Sequence, residues 1–142
     1  MEFKIIDKHT GVDKTFSNDA IASFLEVYLD QYGDKKDDIL KCLDYVFNKG
    51  GFVVIATDGN ELIGATVLNE TFMNSYIPEN ILVYIAVHKN QRGKGLGSKL
   101  MQKTLANAKG SVALHVEADN PAKKLYERLG FSNKYLEMRL QR

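Results

Sequence analysis

Seven consecutive residues carry the densest chemistry in the chain: Gln91-Arg92-Gly93-Lys94-Gly95-Leu96-Gly97. Gly93, Gly95 and Gly97 have no Cβ, so their backbone N–H groups can approach an anion closely and adopt positive φ. Arg92, Lys94 and, just beyond, Lys99 bring positive charge to the same place. A helix starting in or after the loop, from about Ser98, would add free N–H groups and the positive end of its dipole. These types at this spacing point to a phosphate-bearing ligand, most simply one with a pyrophosphate. A solvated surface turn is the plain alternative, and it leaves the alternation of glycine with basic residues unexplained.

Two common phosphate-binding patterns fit poorly. A P-loop requires Gly-x-x-x-x-Gly-Lys-Ser/Thr, which is absent. A dinucleotide fingerprint is nearer, with Gly93-x-Gly95-x-Gly97 and an acidic Glu117 about 20 residues on. Its third glycine falls one place early, however, with Ser98 at the expected position. Gly93 also stands too far beyond Val87 for a tight strand-to-helix turn.

The elements that must position the loop follow from periodicity. Phe3–Ile6 reads as a strand. Ser17-Asn18-Asp19 caps a helix carrying Ile21, Phe24, Leu25, Tyr28 and Leu29 on one face, ending near Tyr32-Gly33. A second helix runs from about Lys36 to Asn48, and Lys49-Gly50-Gly51 stops it. Phe52–Ala56 and Glu61–Leu68 flank the turn Asp58-Gly59-Asn60 and form a hairpin. Ile81–Val87 is the strand that feeds the loop, and Ser98–Lys109 the helix that follows. Val112–Val116 is another strand, Pro121 opens a short helix ended by Gly130, and Lys134–Leu140 reads as a last strand. The order is β-α-α-β-β-β-α-β-α-β. It predicts an α/β (α+β) fold with a mixed, mostly antiparallel sheet flanked by helices.

With 142 residues, 44% of them hydrophobic, the chain is expected to form a single domain, residues 1–142. Its formal net charge of +1 argues against nucleic-acid binding by bulk charge. No apolar run approaches a membrane span and no signal peptide is read at the start, so a cytoplasmic setting is expected. The one cysteine, Cys42, lies among apolar residues and reads as a buried thiol.

The loop and its flanks together resemble the GCN5-related N-acetyltransferase (GNAT) superfamily. Arg92-Gly93-Lys94-Gly95-Leu96-Gly97 fits the family's Gln/Arg-x-x-Gly-x-Gly/Ala motif; in the overlapping register from Gln91 the match fails. Tyr84-Ile85-Ala86-Val87 resembles the preceding strand. The segment from Leu114 through Asn120 to Leu125-Tyr126-Glu127-Arg128-Leu129-Gly130-Phe131 resembles the second cofactor segment. The likeness covers residues 81–131 closely.

The resemblance implies the fold above, acetyl-CoA (coenzyme A) as donor, no metal, and transfer to a small-molecule or protein amine without a covalent enzyme intermediate. It implies that backbone at Ile85, Ala86 and Val87 takes the pantetheine arm as an added strand would. An N–H near Val87 would polarise the acetyl carbonyl. N–H groups of Arg92, Gly93, Lys94, Gly95, Leu96, Gly97 and Ser98 would take the pyrophosphate. Asn120 would meet the cofactor arm, Lys123 its phosphates, and Tyr126 would protonate the departing thiolate. Each has a plain rival: Tyr126 as a core aromatic, Asn120 as a helix cap, Lys123 as a solvated face.

Two features stay open. A neutral amine is needed for attack, and Glu70, Glu79, His88, His115 and Glu117 are all weak candidates for the base, beside a backbone-held water. The family's acceptor pocket borders the first two helices, where Asp30, Asp34, Asp37 and Asp38 could attract a cationic amine. A non-catalytic acyl-CoA-binding module and a dinucleotide-binding protein are the rival readings. The last strand could pair across a homodimer.

Overall fold

The computed structural model describes residues 1–142. β1 (Glu2–Ile6), α1 (Asn18–Tyr28), α2 (Lys36–Asn48), β2 (Gly51–Asp58), β3 (Glu61–Glu70), β4 (Asn80–Val87), α3 (Leu96–Asn107), β5 (Val112–Leu114) and α4 (Lys123–Arg128) follow in that order. The five strands form one sheet, in the order β1-β2-β3-β4-β5. The first three pairings are antiparallel and β4–β5 is parallel. This is the mixed α/β sheet that the alternation of elements predicts.

The sheet is covered on both faces, which is why Val53–Ala56 is continuously apolar and fully buried. On one face α1 and α2 place Ile21, Leu25, Ile39, Leu43 and Val46 over Val53, Ile55, Val67, Tyr84 and Ala86. On the other, α3 sets Leu96 and Leu100 against Val54, Ala56 and Ile63. Beside it, Met101 of α3 and Tyr126 of α4 pack on Leu82. Two buried hydroxyls lock α3 to the sheet. Thr104 donates to the Leu100 carbonyl at 2.8 Å, so Thr66 donates to Thr104 at 2.7 Å. No helix is long and apolar enough to cross a membrane.

Ser17 caps α1 as expected, its hydroxyl accepting from the Ala20 N–H at 3.1 Å. The helix stops at Tyr28, before the expected Tyr32-Gly33. A single 3-10 turn, Asp30–Tyr32, follows, with Asp30 in the left-handed region at φ 54°. Asp tolerates that conformation better than most residues.

One expected element does not form. Lys134–Leu140 is not a strand, and no ladder reaches it. Tyr135, Leu136, Met138 and Leu140 stand 79%, 84%, 92% and 78% exposed. Strand pattern says which side chains share a face but supplies no hydrogen-bonded neighbour, and strand preference is largely set by that context.

Candidate active site

A bulge in β4 creates the site. Val67 pairs with Tyr84 but Leu68 pairs with Leu82, so Val83 is an extra residue. The bulge reverses the alternation of faces. Leu82 packs toward α3 and α4, whereas Tyr84 packs toward α1 and α2. The β4–β5 ladder ends at Leu82–Leu114. Beyond that point the strands part, and the β4 edge from Val83 to Val87 has no strand beside it. The gap is a mainly apolar cleft of about 400 Å³, bordered by β4, the end of α1, the start of α3 and α4. Ile85, Ala86 and Val87 form its floor.

The glycine loop closes one end. Gly93 and Gly95 take φ of 78° and 83°, and a Cβ on either would meet nothing within 4 Å. Backbone conformation therefore demands glycine there, and the space above the loop is open. α3 starts at Leu96, two residues earlier than its pattern suggests, and no side chain caps it. Its first N–H groups are left for an outside acceptor. Leu96 itself is 2% exposed in the core, so only its backbone can serve a ligand. Gly97 lines the cleft beside Leu125 and Val87.

Arg92 points elsewhere. Its guanidinium donates to the Tyr28 carbonyl at 2.9 Å, to Asp30 at 3.3 Å and to the Val87 carbonyl at 3.3 Å. It ties the end of α1 to the end of β4, and its side chain is turned from the open space over the loop. Lys94 and Lys99 remain as the basic side chains beside the helix start.

The opposite wall comes from the β5–α4 connection. The Asn120 Oδ1 accepts from the Ala122 N–H at 2.9 Å and so shapes the entry to α4, while the residue also lines the cleft. Tyr126 is 7% exposed, its ring meeting Phe131 edge-on at 6.1 Å. Burial pushes its phenol up to about 12. No buried side-chain oxygen lacks a partner, and no protein hydrogen bond engages the Tyr126 hydroxyl, so that hydroxyl opens on the cleft. Lys123, expected near phosphates, pairs with Glu127 at 3.6 Å along α4 and does not line the cleft.

A sequence model of the acetyltransferase (GNAT) domain matches residues 48–133, more than half of the chain. The chain belongs to the GNAT acetyltransferase family. Among relatives, N-alpha-acetyltransferase 30 of Schizosaccharomyces pombe is 32% identical over 85 residues, covering 56% of this chain and 57% of that protein. The 5-NmdU N-acetyltransferase of Pseudomonas phage PaMx11 is 29% identical over 101 residues, covering 70% and 69%. The chain thus spans little more than half the length of the first relative. Solved structures share the GNAT fold at low identity. An aminoglycoside 6'-N-acetyltransferase, AAC(6')-IG, from Acinetobacter haemolyticus superposes with a TM-score of 0.70 at 16% identity, covering 100% of this chain and 98% of that one. AAC(6')-Iy in complex with CoA gives 0.70 at 14%, covering 99% and 93%.

Within this GNAT domain the expected site residues divide. Ile85, Ala86, Val87, Arg92, Gly97, Asn120 and Tyr126 border the cleft, whereas Gly93, Lys94, Gly95, Leu96 and Ser98 form the loop and helix start at its end. Of the five candidate bases only His115 lines the cleft. His88 instead stacks on Tyr28 at 4.5 Å and faces Glu61 at 3.5 Å. Cys42 lies outside the cleft, and burial pushes its thiol up to about 12, which fits a packing role. Residues not anticipated also border the cleft: Tyr28, Tyr32 and Tyr84. The one signal for Tyr84 was a lone phenol in an otherwise aliphatic strand.

Proposed function

We propose that this domain is an acetyl-CoA-dependent N-acetyltransferase acting on a primary amine of a small molecule or protein. The single observation that carries the reading is the continuity of the cleft. It runs from the uncapped start of α3, along the unpaired β4 edge, to the Tyr126 hydroxyl. That path offers anion-binding N–H groups, a bare strand edge and an acid, in the order that a long phosphate-to-thioester ligand requires. The residues present fit such a group. The names of both sequence relatives, each an N-acetyltransferase, support nitrogen as the acceptor atom.

Acetyl-CoA would supply an activated acyl carbon on a thioester. N–H groups from Gly93 to Ser98 would hold the pyrophosphate, with Lys94 adding charge. The free N–H and C=O groups of residues 85–87 would take the pantetheine arm as an added strand. A backbone N–H near Val87 would donate to the carbonyl oxygen as negative charge develops there. Asn120 would sit against the arm. Amine nitrogen would bond to the acyl carbon while the carbon–sulfur bond breaks; Tyr126 would give its proton to the departing sulfur, and the proton shed by the amine nitrogen would pass through water to restore the phenol. A phenol at about 12 is fully protonated at neutral pH, as that role needs.

The test is direct. The protein is incubated with acetyl-CoA and a panel of amines, free thiol is followed, and CoA binding is measured by calorimetry. Saturable, amine-dependent thiol release is expected. Binding of CoA with no release from any acceptor would point to a binding module, and absence of CoA binding would overturn the proposal.

A further inference from the structure

Tyr84, which lines the cleft, belongs to a polar pair that has no part in the proposed reaction. The Tyr84 hydroxyl donates to Asp34 Oδ2 at 2.5 Å. Tyr84 is 7% exposed, and the β4 bulge turns it to the α1/α2 side, immediately before the floor residues 85–87. Asp34 lies in the connection between α1 and α2 and makes no ion pair, whereas Asp30, which lines the cleft, is answered by Arg92. Gly33 lets this connection turn tightly: a Cβ there would lie 2.5 Å from the Leu29 Cβ. Burial, then the adjacent Asp34 carboxylate, holds the phenol well above its ordinary range, so the proton stays on Tyr84 and stays aimed at Asp34.

The consequence is a matter of hydrogen-bond capacity. A tyrosine hydroxyl has one proton to donate and lone pairs to accept with. With its proton committed to a carboxylate, Tyr84 can only accept from a group entering the cleft. It selects a donor, and the unpaired charge of Asp34 behind it favours a cationic one. We infer that Tyr84, oriented by Asp34, is the receptor for the acceptor amine: its oxygen accepts an amine N–H and holds the nitrogen on the α1/α2 side of β4, across the strand gap from Tyr126. Asp34 is a positioning residue, acting through the hydroxyl and through its charge. This inference rests on the acetyltransferase reading and names the recognition element for its second substrate.

The experiment compares the wild type, Tyr84→Phe, Asp34→Asn and Asp34→Ala. The acceptors are spermidine, an amino-terminal tetrapeptide and an aminoglycoside, with aniline as an amine that is uncharged at pH 8. Acceptor KM, acetyl-CoA KM, CoA affinity and melting temperature are measured for each. Tyr84→Phe is expected to lower kcat/KM for alkyl amines by about tenfold or more, the scale of one hydrogen bond to a charged group, with acetyl-CoA KM and CoA affinity unchanged. Asp34→Asn keeps an acceptor for the hydroxyl and removes charge. It should raise KM for the cationic amines and leave aniline little affected, while Asp34→Ala impairs both. Asp34→Asn also carries the test should Tyr84→Phe fold poorly. A wild type that turns over beside unchanged Tyr84→Phe and Asp34→Asn variants overturns this inference alone. A wild type that binds CoA and acetylates none of the four overturns the transferase reading with it.

Discussion

The two walls of the cleft are built on different principles. The proposed donor wall, from β4 through the glycine loop into α3 and on to α4, offers mainly backbone groups. In the proposed reaction its anion site would be a helix start, its floor a strand edge, and one side chain, Tyr126, would supply a proton. The proposed acceptor wall, from the end of α1 to α2, presents side chains instead: Tyr28, Asp30, Tyr32, and Tyr84 with Asp34. Backbone chemistry is available to any sequence that makes the right turn, so its mark is a glycine pattern. Side-chain recognition can be met by many residue sets. Polar and aromatic contacts cross between the walls: Arg92 on α1, the His88 ring against Tyr28 at 4.5 Å, and the Tyr32 hydroxyl donating to the Asp119 carbonyl at 3.3 Å.

The largest effect that separates the walls should come from Tyr126→Phe. Loss of a positioned acid costs turnover about 10²–10⁴-fold. CoA affinity, acceptor KM and melting temperature should hold, because the hydroxyl has no partner inside the protein. Equal loss of turnover and CoA affinity would count against the acid role.

Gly95→Ala attacks the same wall through backbone. An L-residue in the left-handed region costs about 1–2 kcal/mol, and no clash adds to it, since a Cβ there meets nothing within 4 Å. The expected result is a lower melting temperature and CoA binding weakened by about tenfold, with the ratio of acceptor KM values unchanged. A shift in that ratio would mean the walls are not independent.

Arg92→Gln tests the bridge. Exposed ion pairs contribute about 0–1 kcal/mol, so a few-fold change is expected, and it should appear in the KM of both substrates. A change in the donor KM alone would place Arg92 on the ligand phosphates instead.

The smallest effect concerns pH. Tyr126 rises from 10.0 to about 12 and Cys42 from 9.0 to about 12 on folding. Both are raised, so the native state holds these protons longer than the unfolded chain. Their stabilisation is whole below about pH 9 and is lost as pH climbs toward 12. Chemical denaturation at stepped pH should show no loss from this source up to pH 9 and a decline above it, and Cys42→Ala should delay the onset. In the native protein at pH 8 a chromogenic disulfide reagent should find Cys42 unreactive.

Most of the donor wall was legible in the residues. Periodicity located four helices and the hairpin, and the Gly93–Gly97 alternation marked the left-handed turns that lead into α3. The errors fall where local pattern has no authority. The helix after the loop begins at Leu96 because Gly95 can turn left-handed and let it. α1 ends at Tyr28 although the apolar spacing continues, because Asp30 leaves the helical region. Lys134–Leu140 alternates as a strand yet stays unpaired and exposed.

Residue type and spacing determined the elements, the glycine loop and the family likeness, because those depend on contacts close along the chain. Only the tertiary structure decided where β4 bulges, that β4 and β5 part after three paired residues, and that Asp34 meets Tyr84 fifty positions away. A one-residue bulge reverses which face a strand shows, and nothing in the order of apolar residues records it. The α1/α2 side of the cleft is built from such distant meetings, and so it emerged only once the chain was folded.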